Sequence, residues 1–294
     1  MNKVLGDKTA ILAFTLPAFL FFLGIIIVPI VMSGYYSLLR WDGIGTGSFI
    51  GLSNYGKLLL EPRDGFWQSV LNSCILAALS VFIQLPIALV LALVLASGIR
   101  GEGFFRSVYF VPVIVSTVVI GQMWMKIYNP QYGLLNSFFR SVGLDMMARS
   151  WLGDTETALM SVFAPLVWQY IGYHMLLMYA AIKSIPIDIL EAAKIDGASF
   201  GRTSLSITIP LILPMIEVCV VFAVIGSLKS FDLIYVLTNG GPMHATEVPS
   251  TLMYGTIFHK YMYGYGSSIA IFIIVECLVL TVAIRQLFGL RKIA

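Results

Sequence analysis

Residues 191–210 read EAAKIDGASFGRTSLSITIP, a polar and helix-prone segment in an otherwise apolar half of the chain. The segment 157–182 before it contains no charged residue, and 203–228, which overlaps its end, contains only Glu217. About 20 mostly apolar residues are enough to cross the hydrocarbon core of a bilayer as a helix. We therefore interpret 191–210 as a polar connection between two transmembrane helices.

The composition of the whole chain agrees with a membrane protein. Of its 294 residues, 59% are hydrophobic and 11% are charged, and its mean hydropathy is +0.90, whereas soluble domains carry about 25% charged residues. This composition excludes a water-soluble globular protein. We predict an all-α polytopic membrane protein that forms a single domain over residues 1–294. Its six transmembrane helices are predicted at 9–39, 65–99, 107–125, 157–182, 203–228 and 261–284.

The distribution of lysine and arginine predicts the orientation in the membrane. If the N-terminus lies inside, the inner segments contain 10 basic residues in 54 positions, and the outer segments contain 8 in 100 positions. Because cytoplasmic segments are enriched in these residues, both termini are predicted to be cytoplasmic. The segment 191–210 then lies in the cytoplasm, between the fourth and fifth helices. The first apolar run is too long for a cleaved signal peptide and is interpreted as an anchor.

Sequence signatures of an enzyme are absent. The sequence contains no G-x4-G-K-[ST] nucleotide-binding loop, no HExxH and no GxSxG. Cys74, Cys219 and Cys277 lie in three different predicted helices, and the three histidines are scattered, so neither residue type suggests a metal site. We therefore expect no catalytic residues, no metal, no cofactor and no ATP bound by this chain. Nothing in the sequence indicates a nucleic-acid partner.

The local pattern of the cytoplasmic segment predicts a helix, a turn and a second helix. Pro186 suits the first turn of a helix, and Gly197 can form the turn that ends it. Ser199 can cap a following short helix. Ala192 and Ala193 leave part of the first helix nearly smooth, which favours docking to another protein. The alternative is an amphipathic helix that rests on lipid headgroups.

The same segment resembles a known signature. The letters EAA at 191–193, G at 197 and IxIP at 207–210 are similar to the EAA motif of ABC importer permeases, EAA-x3-G-x9-I-x-L-P, with Ile209 in place of leucine. Three longer stretches resemble the carbohydrate-type permeases of the maltose and glycerol-3-phosphate branch, namely 105–136, 184–199 and 230–242. The resemblance therefore covers much of the chain and implies a multi-pass protein of the bacterial cytoplasmic membrane.

The resemblance implies a coupling loop at 184–210, whose helix seats in a cytoplasmic ATPase subunit. The positions that it assigns to this contact are Glu191, Ala192, Ala193, Asp196 and Gly197. The implied partners are an ATPase dimer that binds the ATP, a second homologous permease and an extracellular or periplasmic solute-binding protein. The solute-binding protein is expected to contact the outer loops 40–69 and 230–266, which are otherwise simple connectors.

A carbohydrate substrate requires hydroxyl-bonding side chains and aromatic rings in an apolar cavity. The positions that match the family's substrate path are Tyr170, Gly172 and Met175 in the fourth predicted helix, and Ser227 and Ser230 in the fifth. Maltose transporters have asparagines where this chain has the two serines, so maltose itself is not the expected sugar. The alternative is ordinary helix packing by small and aromatic residues.

Two other functions remain open from the sequence. An ion-coupled secondary transporter would use acids inside the membrane, and Glu217 and Glu276 lie in predicted helices. Such transporters contain internal repeats, which this sequence lacks. The third possibility is an ABC importer of a non-sugar solute such as glycerol-3-phosphate. The favoured function is a permease subunit that couples ATP hydrolysis by a separate ATPase to the import of a sugar or oligosaccharide.

Overall fold

The computed structural model describes residues 8–61 and 64–291, and most of them are helical. In the first half of the chain the α-helices are α1 (Lys8–Phe22), α2 (Val28–Tyr36), α3 (Ser53–Leu60), α4 (Phe66–Leu79), α5 (Leu85–Ala96), α6 (Glu102–Ile114), α7 (Thr117–Ile127) and α8 (Leu134–Ser141). In the second half they are α9 (Thr155–Lys183), α10 (Ile187–Ile195), α11 (Phe200–Thr203), α12 (Ile209–Leu211), α13 (Leu213–Leu228), α14 (Asp232–Thr238), α15 (Pro249–Tyr254) and α16 (Tyr263–Arg291).

Other helical segments and a small hairpin complete the described chain. The short π- and 3-10-helical segments are Leu23–Ile27, Ser80–Gln84, Asp145–Met147, Ser204–Thr208 and Gly255–His259. Strands β1 (Leu39–Arg40) and β2 (Ser48–Phe49) pair antiparallel, with Leu39 opposite Phe49. The extreme ends of the chain, on which part of the orientation prediction rests, lie outside the described residues.

Several helices are long and apolar enough to cross a membrane. Within the described residues these are Ile11–Tyr36, Phe66–Ala96, Leu213–Thr238 and Tyr263–Gly289. They correspond to the first, second, fifth and sixth predicted helices. Helices α6 and α7 add one more if the pair is counted as a single broken span. The helical membrane architecture is thus confirmed, whereas the number of six spans stays a prediction.

The third predicted span, 107–125, is not one straight helix, which corrects the interpretation of the sequence. Helices α6 and α7 meet at 95°, with Val115 and Ser116 in extended conformation between them. Seven of the eight residues from 113 to 120 are β-branched, and such side chains lose rotamer freedom in a helix. Pro112 removes a further backbone donor just before the break. Apolar composition alone did not reveal this bend.

The fourth predicted span, 157–182, lies within α9. This helix has 29 residues, and at 1.5 Å per residue it is about 43 Å long. It is not among the four most apolar helices because its middle reads WQYIGYH at 168–174. The helix is therefore long enough to cross a bilayer but carries polar and aromatic side chains halfway along.

The described chain packs as two compact units, which fall within Met1–Asp64 with Met253–Val275 and within Gly65–Leu252 with Glu276–Ala294. The single-domain organisation stays a prediction. In the first unit, the Asn54 amide donates to the carbonyl oxygens of Ser37 at 2.8 Å and Leu39 at 2.9 Å, which ties α3 to the end of α2.

Helices α1 and α2 have no buried residue along their apolar stretch. Phe14 is 81% exposed and Phe21 69% exposed within the protein. Isolated apolar helices of this length satisfy all their backbone hydrogen bonds internally, which is the condition for contact with lipid. The anchor predicted for the first apolar run has this form.

The second unit contains the largest core, where α9 packs against α5 and α6. Ala88 and Ala92 of α5 are fully buried beside Met175 and Met178 of α9. Small side chains allow helix backbones to approach closely in a membrane, where packing rather than the hydrophobic effect drives helix association. These contacts hold the middle of α9 in a fixed position, and that is where the candidate site lies.

Candidate functional site

A cavity of about 440 Å³ opens beside the middle of α9. Its wall includes Leu166, Gln169, Tyr170, Tyr173 and His174. These positions are spaced three, four, seven and eight residues after the first, and such spacing places side chains on one face of a helix. The opposite wall comes from the helical stretch Phe66–Ala96, through Leu76, Ser80 and Gln84.

The helical stretch Leu213–Thr238 also lines the cavity, and it is interrupted just after the end of the fifth predicted span, 203–228. Helix α13 ends at Leu228 and α14 begins at Asp232, so residues 229–231 between them are not helical and line the cavity. The Ser227 hydroxyl donates to the Ala223 carbonyl oxygen at 2.7 Å and lies 3.0 Å from the Ser80 hydroxyl. This pair joins the two helices on either side of the cavity.

The buried part of the cavity wall contains uncharged polar side chains among apolar ones. The side chains of Gln84, Gln169 and His174 are 3%, 2% and 3% exposed, respectively. Lys229 and Asp232 also line the cavity, and both are exposed. The buried part of the cavity wall is therefore a mixture of apolar and uncharged polar side chains, and the two ionic side chains are exposed.

Two buried atoms of this wall have no hydrogen-bond partner among the described residues, the Gln169 Oε1 and the His174 Nδ1. Buried polar atoms without partners are uncommon in folded proteins because each one costs about 1–3 kcal/mol. Both atoms belong to residues that line the cavity. They are the polar groups of the cavity wall that the described residues leave without a hydrogen-bond partner.

The structure brings together three of the five residues predicted for the substrate path. Tyr170, Ser227 and Ser230 line the cavity. Gly172 and Met175 do not line it. A Cβ placed on Gly172 would lie 1.9 Å from the Tyr109 carbonyl oxygen, so backbone occupies the space beside this glycine. Met175 is fully buried in the core against α5.

The sequence analysis missed the polar residues that face the cavity most directly. Gln84, Gln169 and His174 were not selected, and neither was Gly226, which lines the cavity and has open space where a Cβ would be. The three-and-four spacing around Tyr170 was available in the sequence as a signal. Which face of α9 turns toward α13 was not, because apolar residues occur on all sides of this helix.

The two acids inside predicted helices lie away from the cavity. Glu276 Oε1 is 3.9 Å from the Cys74 sulfur, and its other oxygen is buried without a partner among the described residues. Glu217 is partly buried. Neither residue is part of the cavity wall. No cluster of three or more His, Cys, Asp or Glu side chains suited to a metal ion occurs in the described chain.

The segment 184–210, predicted to be cytoplasmic, forms two short helices around a glycine corner. Helix α10 begins after Pro186, and Gly197 follows it with φ of 76°, which is a left-handed conformation. The Ser199 side chain accepts from the Arg202 backbone N–H at 3.4 Å and caps α11. This arrangement gives residues 184–210 a fixed shape rather than that of an extended linker.

Four of the five EAA residues present their side chains or backbone to the surface, namely Glu191, Ala192, Asp196 and Gly197. Ala193 is 6% exposed and holds α10 against the protein. Large apolar side chains next to them are also exposed, with Ile195 at 86% and Phe200 at 56%. The surface around α10 is thus mixed in character, with apolar residues uncovered beside charged ones.

A group of ionic and aromatic side chains, here called the Tyr179 cluster, lies just before this segment. It consists of Glu102 and Arg106 of α6 and Tyr179 and Lys183 of α9. The Tyr179 hydroxyl donates to the Glu102 carboxylate and accepts from Arg106 at 3.4 Å. Lys183 Nζ lies 3.6 Å from the same carboxylate and donates to the Ala96 carbonyl oxygen at 3.1 Å.

The Tyr179 ring also contacts both cations. The Arg106 guanidinium carbon is 5.4 Å and the Lys183 nitrogen 5.5 Å from the ring centre, within the range of cation–π attraction. Because the cluster joins the end of α9 to α6 and to the end of α5, these elements are linked at the point where α9 passes into the loop 184–210. The cluster is therefore a direct structural connection among three helices at the start of this loop.

The outer loops that were predicted to receive a solute-binding protein contain local structure of their own. In 40–69, a second cavity of about 870 Å³ is lined by Arg40, Asp42, Lys57 and Glu61 among others. The Trp41 ring lies 4.6 Å from that of Tyr36 and 5.6 Å from that of Tyr263. In 230–266, the Thr238 and Thr246 hydroxyls are 2.7 Å apart, and His244 pairs with Glu247.

Comparison with known proteins places these features in a family. The family model described as "Binding-protein-dependent transport system inner membrane component" matches residues 84–291. The chain is 38% identical over 282 residues to "Probable ABC transporter permease protein YurN" of Bacillus subtilis, a match that covers 95% of this chain and 96% of that protein.

Two further similarities extend over nearly the whole chain. It is 34% identical over 278 residues to "Trehalose/maltose transport system permease protein MalF" of Thermococcus litoralis, covering 94% of this chain and 92% of that protein. A crystal structure of a bacterial ABC transporter involved in the import of the acidic polysaccharide alginate matches with a TM-score of 0.81 and 23% identity, covering 95% of this chain and 94% of that one. At this identity the structural match establishes the fold.

Proposed function

Because this chain belongs to the family of binding-protein-dependent transport system inner membrane components, it is a membrane permease subunit of an ABC transporter, and we propose that the solute it imports is a sugar or oligosaccharide. The family that the EAA segment predicted is thereby confirmed. The relatives are permeases rather than enzymes, so the chemistry of ATP hydrolysis belongs to another subunit.

The observation that carries the proposal is the cavity at the middle of α9. Gln169 is the central residue of this helix, with 14 residues on either side, and the cavity wall combines amides, hydroxyls and tyrosine rings. Saccharides are held by hydrogen bonds to their hydroxyls and by aromatic contact with their apolar faces. The printed name of the relative from Thermococcus litoralis, a trehalose and maltose permease, supports the same class.

The proposed substrate path runs along Tyr170, Ser227 and Ser230, which line the cavity. Gly172 and Met175 do not line the cavity, and the role that we propose for them is indirect. They fix the position of α9 against α6 and α5, and so determine where Tyr170 stands. The broken helix at 229–231 adds backbone groups at the same level, as irregular backbone in a membrane is tolerated where it lines a cavity.

The proposed topology has six spans and cytoplasmic termini. Helix α9 is the fourth span, and α6 with α7 forms the third as a bent pair. On this topology the Tyr179 cluster and the loop 184–210 face the cytoplasm, where the positive-inside rule favours Arg106 and Lys183. On the same topology, most residues that line the second cavity, beside Trp41, belong to the outer loops 40–69 and 230–266.

We propose that Glu191, Ala192, Ala193, Asp196 and Gly197 form the contact with one subunit of an ATPase dimer. The uncovered side chains of Ile195 and Phe200 support a protein partner at this surface, because exposed apolar groups in the cytoplasm favour association. ATP-driven closure of the ATPase would then move α10, and the Tyr179 cluster would pass the movement to α9 and α6 as a rigid-body shift.

The remaining partners complete the importer. A second homologous permease would close the cavity on the side that this chain leaves open, and the family's description as binding-protein-dependent supports a solute-binding protein outside the membrane. Its proposed contact surface is formed by 40–69 and 230–266. The non-sugar alternative, an anionic solute such as glycerol-3-phosphate, is tested by the same experiment as the sugar proposal.

The experiment is uptake by cells that carry this chain together with the ATPase, permease and binding-protein genes beside it. Labelled neutral saccharides, a uronic acid disaccharide and glycerol 3-phosphate are supplied separately. We expect uptake of at least one saccharide that depends on this chain and on an active ATPase. Uptake of glycerol 3-phosphate alone, or uptake that persists without the ATPase and follows an ion gradient, would contradict the proposal.

A further inference from the structure

We propose that the cavity beside α9 takes a neutral, hydroxyl-rich saccharide, and that Gln169 and His174 determine which hydroxyl pattern is accepted. This inference rests on the proposed function and narrows it in two respects. It excludes sugar acids and phosphates from the cavity, and it assigns specificity to two residues that the EAA permease resemblance did not select.

The first argument is geometric. Gln169 and His174 lie five residues apart on the face of α9 that lines the cavity, and their side chains are 2% and 3% exposed. Gln169 Oε1 and His174 Nδ1 have no hydrogen-bond partner within the described part of the chain. The buried Ser80 and Ser227 hydroxyls of the same wall, by contrast, lie 3.0 Å apart and are hydrogen-bonded to each other. Both unsatisfied atoms thus belong to residues of the cavity wall.

The second argument is the hydrogen-bonding capacity of these groups. A sugar hydroxyl can donate one hydrogen bond and accept others, so it can satisfy an amide oxygen, an amide nitrogen or either nitrogen of a neutral imidazole. A site built to bond a hydroxyl strongly rejects an analogue that lacks it, because its buried polar groups are then left without partners. Gln169 and His174 therefore favour solutes with hydroxyls at two separate positions.

The third argument is charge. Among the residues that line the cavity, the ionic side chains of acids and bases are limited to Lys229 and Asp232, and both are exposed. Carboxylates and phosphates are usually recognised by arginine forks or several cations in a desolvated site. Here a single lysine stands three residues from an aspartate of opposite charge. An anionic solute would find no buried counter-charge, whereas a neutral saccharide needs none.

The fourth argument is the apolar part of the wall. Tyr170 and Tyr173 line the same face of α9, and Phe231 of the broken segment lies across from them. The Phe231 ring stacks on Tyr235, with centres 5.1 Å apart and planes inclined by 21°, which fixes its orientation. Rings held in this way can cover the C–H faces of a sugar while the amide and imidazole bond its edge.

The class of solute is tested by uptake at concentrations that saturate the binding protein, with neutral di- and trisaccharides, a digalacturonate and glycerol 3-phosphate as probes. We expect uptake of a neutral saccharide at least tenfold faster than uptake of the digalacturonate. If the digalacturonate is carried faster, the protein is still a sugar permease but the inference of a neutral substrate is wrong. If no saccharide is carried, the proposed function itself fails.

The role of the two residues is tested with Gln169→Met and His174→Phe in the complete importer. Each variant should lower the maximal uptake rate about tenfold, as expected for one lost hydrogen bond to a buried group. The single-deoxy analogues of the transported sugar provide the decisive readout. The analogue that lacks the hydroxyl bonded by Gln169 should be transported at similar rates by the parent and by Gln169→Met. Removing the hydroxyl and removing the amide delete the same hydrogen bond, so the two effects on the rate are not additive.

The control is Ser161→Ala. Ser161 is a buried polar residue of α9 that is not part of the cavity wall. It should leave the rates for all analogues in their original order. If Gln169→Met or His174→Phe fails to accumulate in the membrane, Gln169→Asn and His174→Gln are tested in place of these variants, because their side chains remain polar. Unchanged relative rates among the analogues, in variants present at normal levels, would overturn the specificity role.

Discussion

Gly172 of α9 lies directly against the backbone of Tyr109 in α6, so that a Cβ on Gly172 would be 1.9 Å from the Tyr109 carbonyl oxygen. No side-chain rotation relieves this contact, because the neighbouring atoms are backbone atoms. The position thus permits a close crossing of the two helices, and its importance is structural before it is functional.

We predict that Gly172→Ala destabilises the protein by about 1–3 kcal/mol or more, since the helices must separate to admit the methyl group. The measurement is the thermal unfolding temperature in detergent, together with the amount of protein in the membrane. A variant as stable as the parent would mean that α6 and α9 cross less closely than described here.

Gly226 of α13 provides the contrasting case. It lines the cavity, and nothing lies within 4 Å of the position that its Cβ would occupy. We predict that Gly226→Leu folds normally, because the side chain enters open space, but reduces uptake at least tenfold by filling the cavity. Comparison of uptake per molecule with the unfolding temperature separates the two effects. Full uptake by a stable Gly226→Leu variant would show that the solute does not pass through this cavity.

We predict that removing the Tyr179 hydroxyl from the Tyr179 cluster weakens the coupling between ATP hydrolysis and solute import. Tyr179→Phe keeps the ring beside Arg106 and Lys183 but deletes the donor to Glu102. We expect the ratio of solute imported to ATP hydrolysed to fall about fivefold, the lower range of coupling between distant sites. The control is Tyr132→Phe, since Tyr132 is 69% exposed and lies outside the cluster.

In reconstituted vesicles, the two activities of Tyr179→Phe are measured on the same preparation. If import and ATP hydrolysis fall in equal proportion, the cluster supports assembly of the importer rather than transmission of movement. If neither activity changes, the joint between α9 and α6 does not depend on this hydrogen bond.

Glu191→Ala tests the coupling contact without altering the fold. Glu191 is exposed, so its removal should leave the unfolding temperature within experimental error. We expect the variant to retain less ATPase subunit during purification of the complex and to import solute more slowly. Lys194→Ala, on the same helix and also exposed, is the matched control. Equal retention of the ATPase by Glu191→Ala and the parent would contradict the contact.

Gly197→Ala tests the shape of the same loop. With φ of 76° at this position, an alanine must adopt a left-handed conformation, at a cost of about 1–2 kcal/mol. The strain should shift α10 relative to α11 and weaken ATPase binding more than Ala198→Gly, the neighbouring control. Hydrogen exchange of the α10 amides measures the local effect. Unchanged exchange and unchanged ATPase binding would show that the left-handed turn is not needed.

Much of this protein could be predicted from its sequence because the bilayer imposes simple requirements. Apolar runs without charge must be helical, as no water is present to satisfy an extended backbone. The helical stretch Phe66–Ala96 was therefore located correctly from the sequence alone. The helix of the EAA segment was also located correctly, from its local motif. The bend between α6 and α7 was missed. Apolar composition shows that a segment is hydrophobic but does not show whether its helix is straight or bent.

The candidate site was only partly predictable. Tyr170 and Ser227 were selected from the sequence and line the cavity, whereas Gly172 was selected with them and faces α6 instead. The rotation of α9 about its axis decides between these cases. When a helix carries apolar residues on all sides, the sequence gives little indication of that rotation. The positions that face lipid and those that face the protein core are then both apolar.

The sequence by itself determined that the chain crosses a membrane, where the EAA segment lies in the chain and to which family it belongs, because these properties depend on composition and on a local motif. Only the tertiary structure decided that Gln169 and His174 face a cavity, that Gly172 allows two helices to cross, and that Tyr179 links α9 to α6. Such relationships join residues far apart in the chain, and they arise only when packing sets the rotation and depth of each helix.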